Sequence, residues 1–60
     1  MWDPVAEKYQ TKCTIKGSDK VVFDRVYEAI NANEAETRAF LNCVHENNRQ
    51  SNVYIDVKKI

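Results

Sequence analysis

Sixty residues amount to one small domain, 1–60, and a chain of that length buries only about 60% of the surface it exposes when unfolded, which argues against an enclosed substrate cavity. An apolar fraction of 43% beside 30% charged residues, with one glycine and one proline, argues against disorder, because disordered chains lack the apolar side chains that offset chain entropy. Nine basic and nine acidic residues cancel, so no net field draws the protein onto nucleic acid or anionic lipid.

Met1-Trp2-Asp3-Pro4 has neither the basic start nor the apolar run of a signal peptide, and no stretch approaches the roughly 18 apolar residues of a membrane span. A cytoplasmic location is the expectation. Residues 1–6 read as an N-terminal arm, with Trp2 tucked against the fold. Cys13 and Cys43 fit no zinc spacing and no dense disulfide framework. In a reducing compartment both are expected as free, buried thiols, with a disulfide between them as the alternative.

The first strand is predicted over about 9–16. Tyr9, Thr11, Cys13 and Ile15 alternate with Gln10, Lys12, Thr14 and Lys16, the period of a half-buried strand. Lys16-Gly17-Ser18-Asp19-Lys20 is a polar turn in which Gly17 supplies a positive φ, and a second strand follows over about 21–30. That run carries apolar residues on both sides: Phe23, Tyr27 and Ala29 with Val21 and Arg25 on one, Val22, Val26 and Ile30 with Asp24 and Glu28 on the other. A slip of one residue inverts them. Phe23, Tyr27 and Ala29 are assigned to the core, because they can face the helix that comes next.

The helix is predicted over about 32–46. Asn31 can accept from the backbone N–H three residues on while Glu34 reaches back, a capping-box arrangement with Asn in place of Ser or Thr; Asn33 with Glu36 offers the same pair further on. Both registers place acidic groups in the first turn, where the helix dipole favours them. Ala32, Ala35, Ala39, Phe40 and Cys43 fall within one arc as the expected buried stripe, with Glu36 intruding on it. A calcium loop fails at this place: Ala35 stands where a further oxygen ligand is needed and Glu36 where the turn needs glycine. After a polar loop, Val53, Ile55 and Val57 alternate with Tyr54, Asp56 and Lys58 in a third strand over about 53–59.

The order β-β-α-β predicts an α+β domain: a three-stranded antiparallel or mixed sheet, order 2-1-3, with one helix on one face. The segment Ala29-Ile30-Asn31-Ala32-Asn33-Glu34-Ala35 resembles a strand-to-helix join found in many small β-β-α-β domains, short phage-encoded proteins among them. That resemblance implies the fold and names no family.

Chemistry-bearing residues are few. His45 is the single histidine and, two residues from Cys43 on a helix, points elsewhere; it is expected in solvent. Gly17 is the only glycine, so no phosphate loop exists. No enzyme, no cofactor and no metal site is expected. What remains is the second sheet face, where Val22, Val26, Ile30, Tyr54 and Trp2 have no place under a single helix. Such an apolar patch among charges marks an interface. The expectation is a non-enzymatic protein-interaction module, in the form of a phage-type accessory protein that binds or inhibits a host protein, with a homodimer as the simplest interface. The alternative is RNA or single-stranded nucleic acid binding through Tyr54 with Lys12, Lys16 and Lys58. The net charge and Asp24, Glu28 and Asp56 on the same side oppose it.

Overall fold

The computed structural model describes residues 5–60. Its elements are β1 (Glu7–Ile15), β2 (Val21–Ala29), α1 (Ala32–Glu46) and β3 (Val53–Lys59). β1 lies in the middle, antiparallel to both neighbours, in the order β2-β1-β3, and α1 crosses one face. This is the α+β arrangement expected from the alternation and the element order. β1 starts earlier than residue 9 because Glu7 and Lys8 pair with Ala29 and Glu28. Of the expected arm, only Val5 and Ala6 fall among the described residues, and both are exposed.

The β1–β2 connection follows its turn chemistry. Gly17 has φ +78°, a conformation that costs an L side chain energy, and nothing lies within 4 Å of where its Cβ would stand. The Ile15 N–H donates to the Lys20 carbonyl at 3.0 Å, and the Lys20 N–H donates to the Ser18 hydroxyl at 3.2 Å. Just inside the turn the register shifts: Cys13 pairs with Phe23 and Thr14 with Val21, leaving Val22 as the extra residue of a bulge.

The helix start is resolved in favour of Asn31. Its Oδ1 accepts the Glu34 N–H at 2.8 Å, while Glu34 Oε1 accepts the Ile30 N–H at 3.3 Å. One of the helix's orphaned donors is thereby satisfied, while the returning Glu34 carboxylate takes the N–H of the residue before the cap rather than that of Asn31. At the far end Asn48 and Arg49 take left-handed φ values of 53° and 63°, and the Arg49 N–H bonds back to the Val44 carbonyl at 2.8 Å. That bond closes the last turn in the manner of a Schellman cap.

Ala35, Ala39 and Cys43, one helical turn apart, are the fully buried helix residues. Their small side chains let α1 lie close on the sheet, over Tyr9, Cys13, Phe23, Ala29 and Val53. The buried stripe is therefore narrower than expected. Ala32 is exposed, and Phe40 is 36% exposed on the flank of the helix, because only the Ala35–Ala39–Cys43 row fits into the gap. Phe23, Ala29 and Tyr27 do face the helix, and Thr11, fully buried, donates its hydroxyl to the Arg25 carbonyl at 3.0 Å.

The expected free thiols are overturned. Cys13 and Cys43 form a disulfide that ties the central strand to the helix, with both residues fully buried. Their Cα atoms are 6.3 Å apart, inside the range a disulfide spans. Neither residue count nor spacing signals this pairing. It arises because the inward position of β1 lies directly beneath the innermost row of α1.

The two flanks of the helix differ. Toward β2, the row Arg38, Asn42 and Glu46 makes polar contacts: Arg38 donates to the Glu28 carbonyl at 3.3 Å, Asn42 to the Tyr27 hydroxyl at 3.1 Å, and Glu46 takes a bidentate pair from Arg25 at 2.6 and 2.8 Å. Arg25, which the strand pattern had placed on the covered face without a partner, lies over the Phe23 ring at 4.5 Å on its way to Glu46. The opposite row, by helical spacing, carries Phe40 and Val44 on the side of β3.

Candidate interaction face

Alternation along β1 sends Tyr9, Thr11 and Cys13 under the helix and Lys8, Gln10 and Lys12 to the other side of the sheet. There the cross-strand neighbours set the chemistry. Lys8 stands opposite Glu28, Gln10 between Val26 and Lys58, Lys12 between Asp24 and Asp56, and Thr14 opposite Tyr54. Gln10 Nε2 donates to Asp24 Oδ1 at 3.1 Å. Gln10, Lys12, Asp24, Asp56 and Lys58 line a shallow depression of about 240 Å³.

The apolar residues assigned to this face do not form one patch. Val26, 54% exposed, and Ile30, 46% exposed, belong to β2 and the residue after it, whereas Tyr54, 51% exposed, stands on β3 across the sheet. The charged depression lies between them. Val22 is half-buried and packs against the core cluster of Cys13, Phe23 and Val53, since the bulge turns it toward the covered side. Trp2 lies outside the described residues. Alternation already places Gln10, Asp24 and Asp56 on this face; the register adds that Lys12 stands between the two aspartates and that Gln10 reaches Asp24.

Of the nucleic-acid candidates, Lys12 is bracketed by Asp24 and Asp56, Lys58 lines the same depression beside Asp56, and Lys16 is exposed at the start of the turn. Lys8 and Lys12 thus have carboxylates as cross-strand neighbours, and Lys58 shares the depression with Asp24 and Asp56. His45 is exposed in the last turn of α1, and Cys43 is held in the disulfide. Among the described residues no three His, Cys, Asp or Glu side chains gather as metal ligands, and no helix is long and apolar enough to cross a membrane.

Among the described residues, the shifted groups belong to exposed ion pairs. Lys59 Nζ lies 2.9 Å from Glu7 Oε2; that hydrogen bond, with the opposite charge, lowers the Glu7 carboxyl and raises the Lys59 ammonium. Arg25 is raised chiefly by its hydrogen bonds to Glu46. These contacts tie β1 to β3 and β2 to α1.

No family model, no curated protein and no solved structure matches this chain.

Proposed function

We propose that the protein is a non-enzymatic interaction module that binds another protein through the uncovered face of its sheet. The observation that carries this reading is the contrast across one sheet: the helix covers one face, while Val26, Ile30 and Tyr54 stand about half exposed on the other around a charged depression. Apolar anchors set among neighbouring charges of both signs suit a protein surface, where aromatic and aliphatic groups carry affinity and charges fix register. A phosphate backbone favours uncompensated cations instead, and Lys12 sits between two aspartates. RNA binding is therefore the second reading.

The form we give the module is a small phage-type accessory protein that binds or inhibits a host protein. The support for it is the likeness of the Ala29–Ala35 join and the absence from the sequence of a catalytic set. A cytoplasmic site of action belongs with this form, and the Cys13–Cys43 bond counts against it, since a reducing compartment favours free thiols.

The test is capture from source-cell lysate by tagged wild-type protein and by Val26→Asp, each split into nuclease-treated and untreated halves. A stoichiometric protein that survives nuclease and is lost with Val26→Asp is the expected result. Recovery that vanishes with nuclease would replace the proposal with RNA binding, and equal capture by both proteins would move the contact off this face.

A further inference from the structure

β3 is an edge strand, and the ladder fixes which of its backbone groups are left over. The Ile60 N–H donates to the Lys8 carbonyl at 3.0 Å and the Lys16 N–H to the Asn52 carbonyl at 2.8 Å. In an antiparallel ladder such bonded pairs recur at every second residue, so Tyr54, Asp56 and Lys58 also turn their N–H and C=O groups toward β1. Val53, Ile55, Val57 and Lys59 therefore point theirs outward, a regular row of donors and acceptors with no register shift.

The two edges of the sheet are guarded differently. β2 has a bulge at Val22, and Arg38 from the helix occupies the Glu28 carbonyl near its end. β3 has no bulge and no proline, and the one cation on its outward row, Lys59, is turned back to Glu7 on β1. Bulges and outward-reaching lysines are the usual means of blunting an edge. β3 has no bulge, and of its two lysines Lys59 is held by Glu7 while Lys58 stands on the uncovered face near Asp56.

Side-chain charge then selects an occupant. In a two-fold antiparallel pairing of β3 with β3 of a second copy, centred on Val57, the outward groups of Val57 bond to Val57 of the copy and those of Ile55 to Lys59. On the uncovered face Asp56 meets Lys58 of the copy, Lys58 meets its Asp56, and Tyr54 meets Ile60, two apolar residues that are 51% and 68% exposed in the single chain. The neighbouring registers are worse: centring on Asp56 sets that carboxylate against itself, and centring on Ile55 sets Tyr54 against Asp56. Opposite charges directly across a ladder stabilise it and like charges oppose it.

We propose that the chain forms a homodimer through the free edge of β3, in antiparallel register about Val57, giving a continuous six-stranded sheet. The helix rows bearing Phe40 and Val44 then meet at the seam on the covered side. The pairing shares Tyr54, Asp56 and Lys58 with the face read as a host-protein site, but the two are tested apart: Val26 lies on the other edge strand, so Val26→Asp is expected to leave the dimer intact.

Sedimentation equilibrium over a concentration series tests it, with the variants Lys58→Asp, Asp56→Lys and the double exchange Asp56→Lys/Lys58→Asp. All three substitute exposed residues, and a urea unfolding curve for each verifies the fold. The expected result is a dimer for wild type, dissociation constants raised about tenfold or more in each single variant, and recovery in the double exchange. A wild-type chain that stays monomeric up to its solubility limit overturns the proposal. So does a dimer whose dissociation constant ignores both single variants, or one that the double exchange does not restore.

Discussion

The two faces of β1 share a backbone and differ in everything else. Tyr9, Thr11 and Cys13 are buried beneath the helix, and Lys8, Gln10 and Lys12 are exposed on the reverse side. Only Thr14, beside the bulge and opposite Tyr54, is buried on the second side. On the covered side the contact is close because α1 offers small residues, and it is fastened by a covalent bond. On the uncovered side cross-strand pairs of opposite charge surround a depression that nothing in the described chain fills. Stability therefore belongs to the covered face, and the recognition proposed above would fall to the other.

The largest expected effect is on the covered face. Replacing Cys13 and Cys43 together by alanine removes a cross-link over 30 residues, and chain entropy alone sets the loss at about 3.5 kcal/mol. Urea unfolding of the double variant beside the wild type measures it. A loss under about 1 kcal/mol would show that packing holds the helix without the bond. Next comes Ala39→Leu, which forces a larger side chain into the gap under α1 and is expected to cost about 1–3 kcal/mol. The matching substitution on the uncovered face, Gln10→Leu, is expected to stay within about 0.5 kcal/mol of wild type. Equal losses at the two positions would erase the distinction between the faces.

At the helix start, Asn31→Ala is expected to lower stability by about 1 kcal/mol and Asn33→Ala by much less, because only Asn31 accepts the Glu34 N–H. The smallest effect is electrostatic. Glu7 is lowered and Lys59 raised by their mutual pair. The Glu7 contribution is present above the ordinary carboxylate range and is lost as pH falls through its lowered value. The Lys59 contribution is present below the ordinary ammonium range and is lost as pH rises through its raised value. The thermal midpoint of Glu7→Gln is thus expected slightly below wild type at neutral pH, with the gap closing in acid and in strong alkali.

Much of this was legible in the residues. Alternation at Tyr9–Ile15 and Val53–Lys58, the turn at Gly17 and the Asn31–Glu34 pair led to the right elements in the right order, because each is a local preference that the fold obeys. The core face of β2 was also readable, since Phe23, Tyr27 and Ala29 are spaced to meet a helix. The disulfide was not legible: it depends on the approach of two elements, and neither cysteine carries a local sign of the other. The separation of Val26 from Tyr54 already follows from the order 2-1-3, which sets β1 between their strands; what no local pattern signals is the bulge that takes Val22 out of that group. Phe40 misled for a related reason. Its angle on the helix suits the core, but the gap set by Ala35 and Ala39 is too narrow to admit it.

The most direct test of the account is urea unfolding of Val26→Asp beside Val53→Asp. Val53 is 2% exposed in the core cluster and Val26 is 54% exposed on the other face. The account predicts that Val26→Asp unfolds within about 0.5 kcal/mol of wild type. Val53→Asp, which buries an unpaired carboxylate, is expected to lose about 3 kcal/mol or more. Unfolding of Val26→Asp with Val53→Asp left stable would invert the faces and contradict the account.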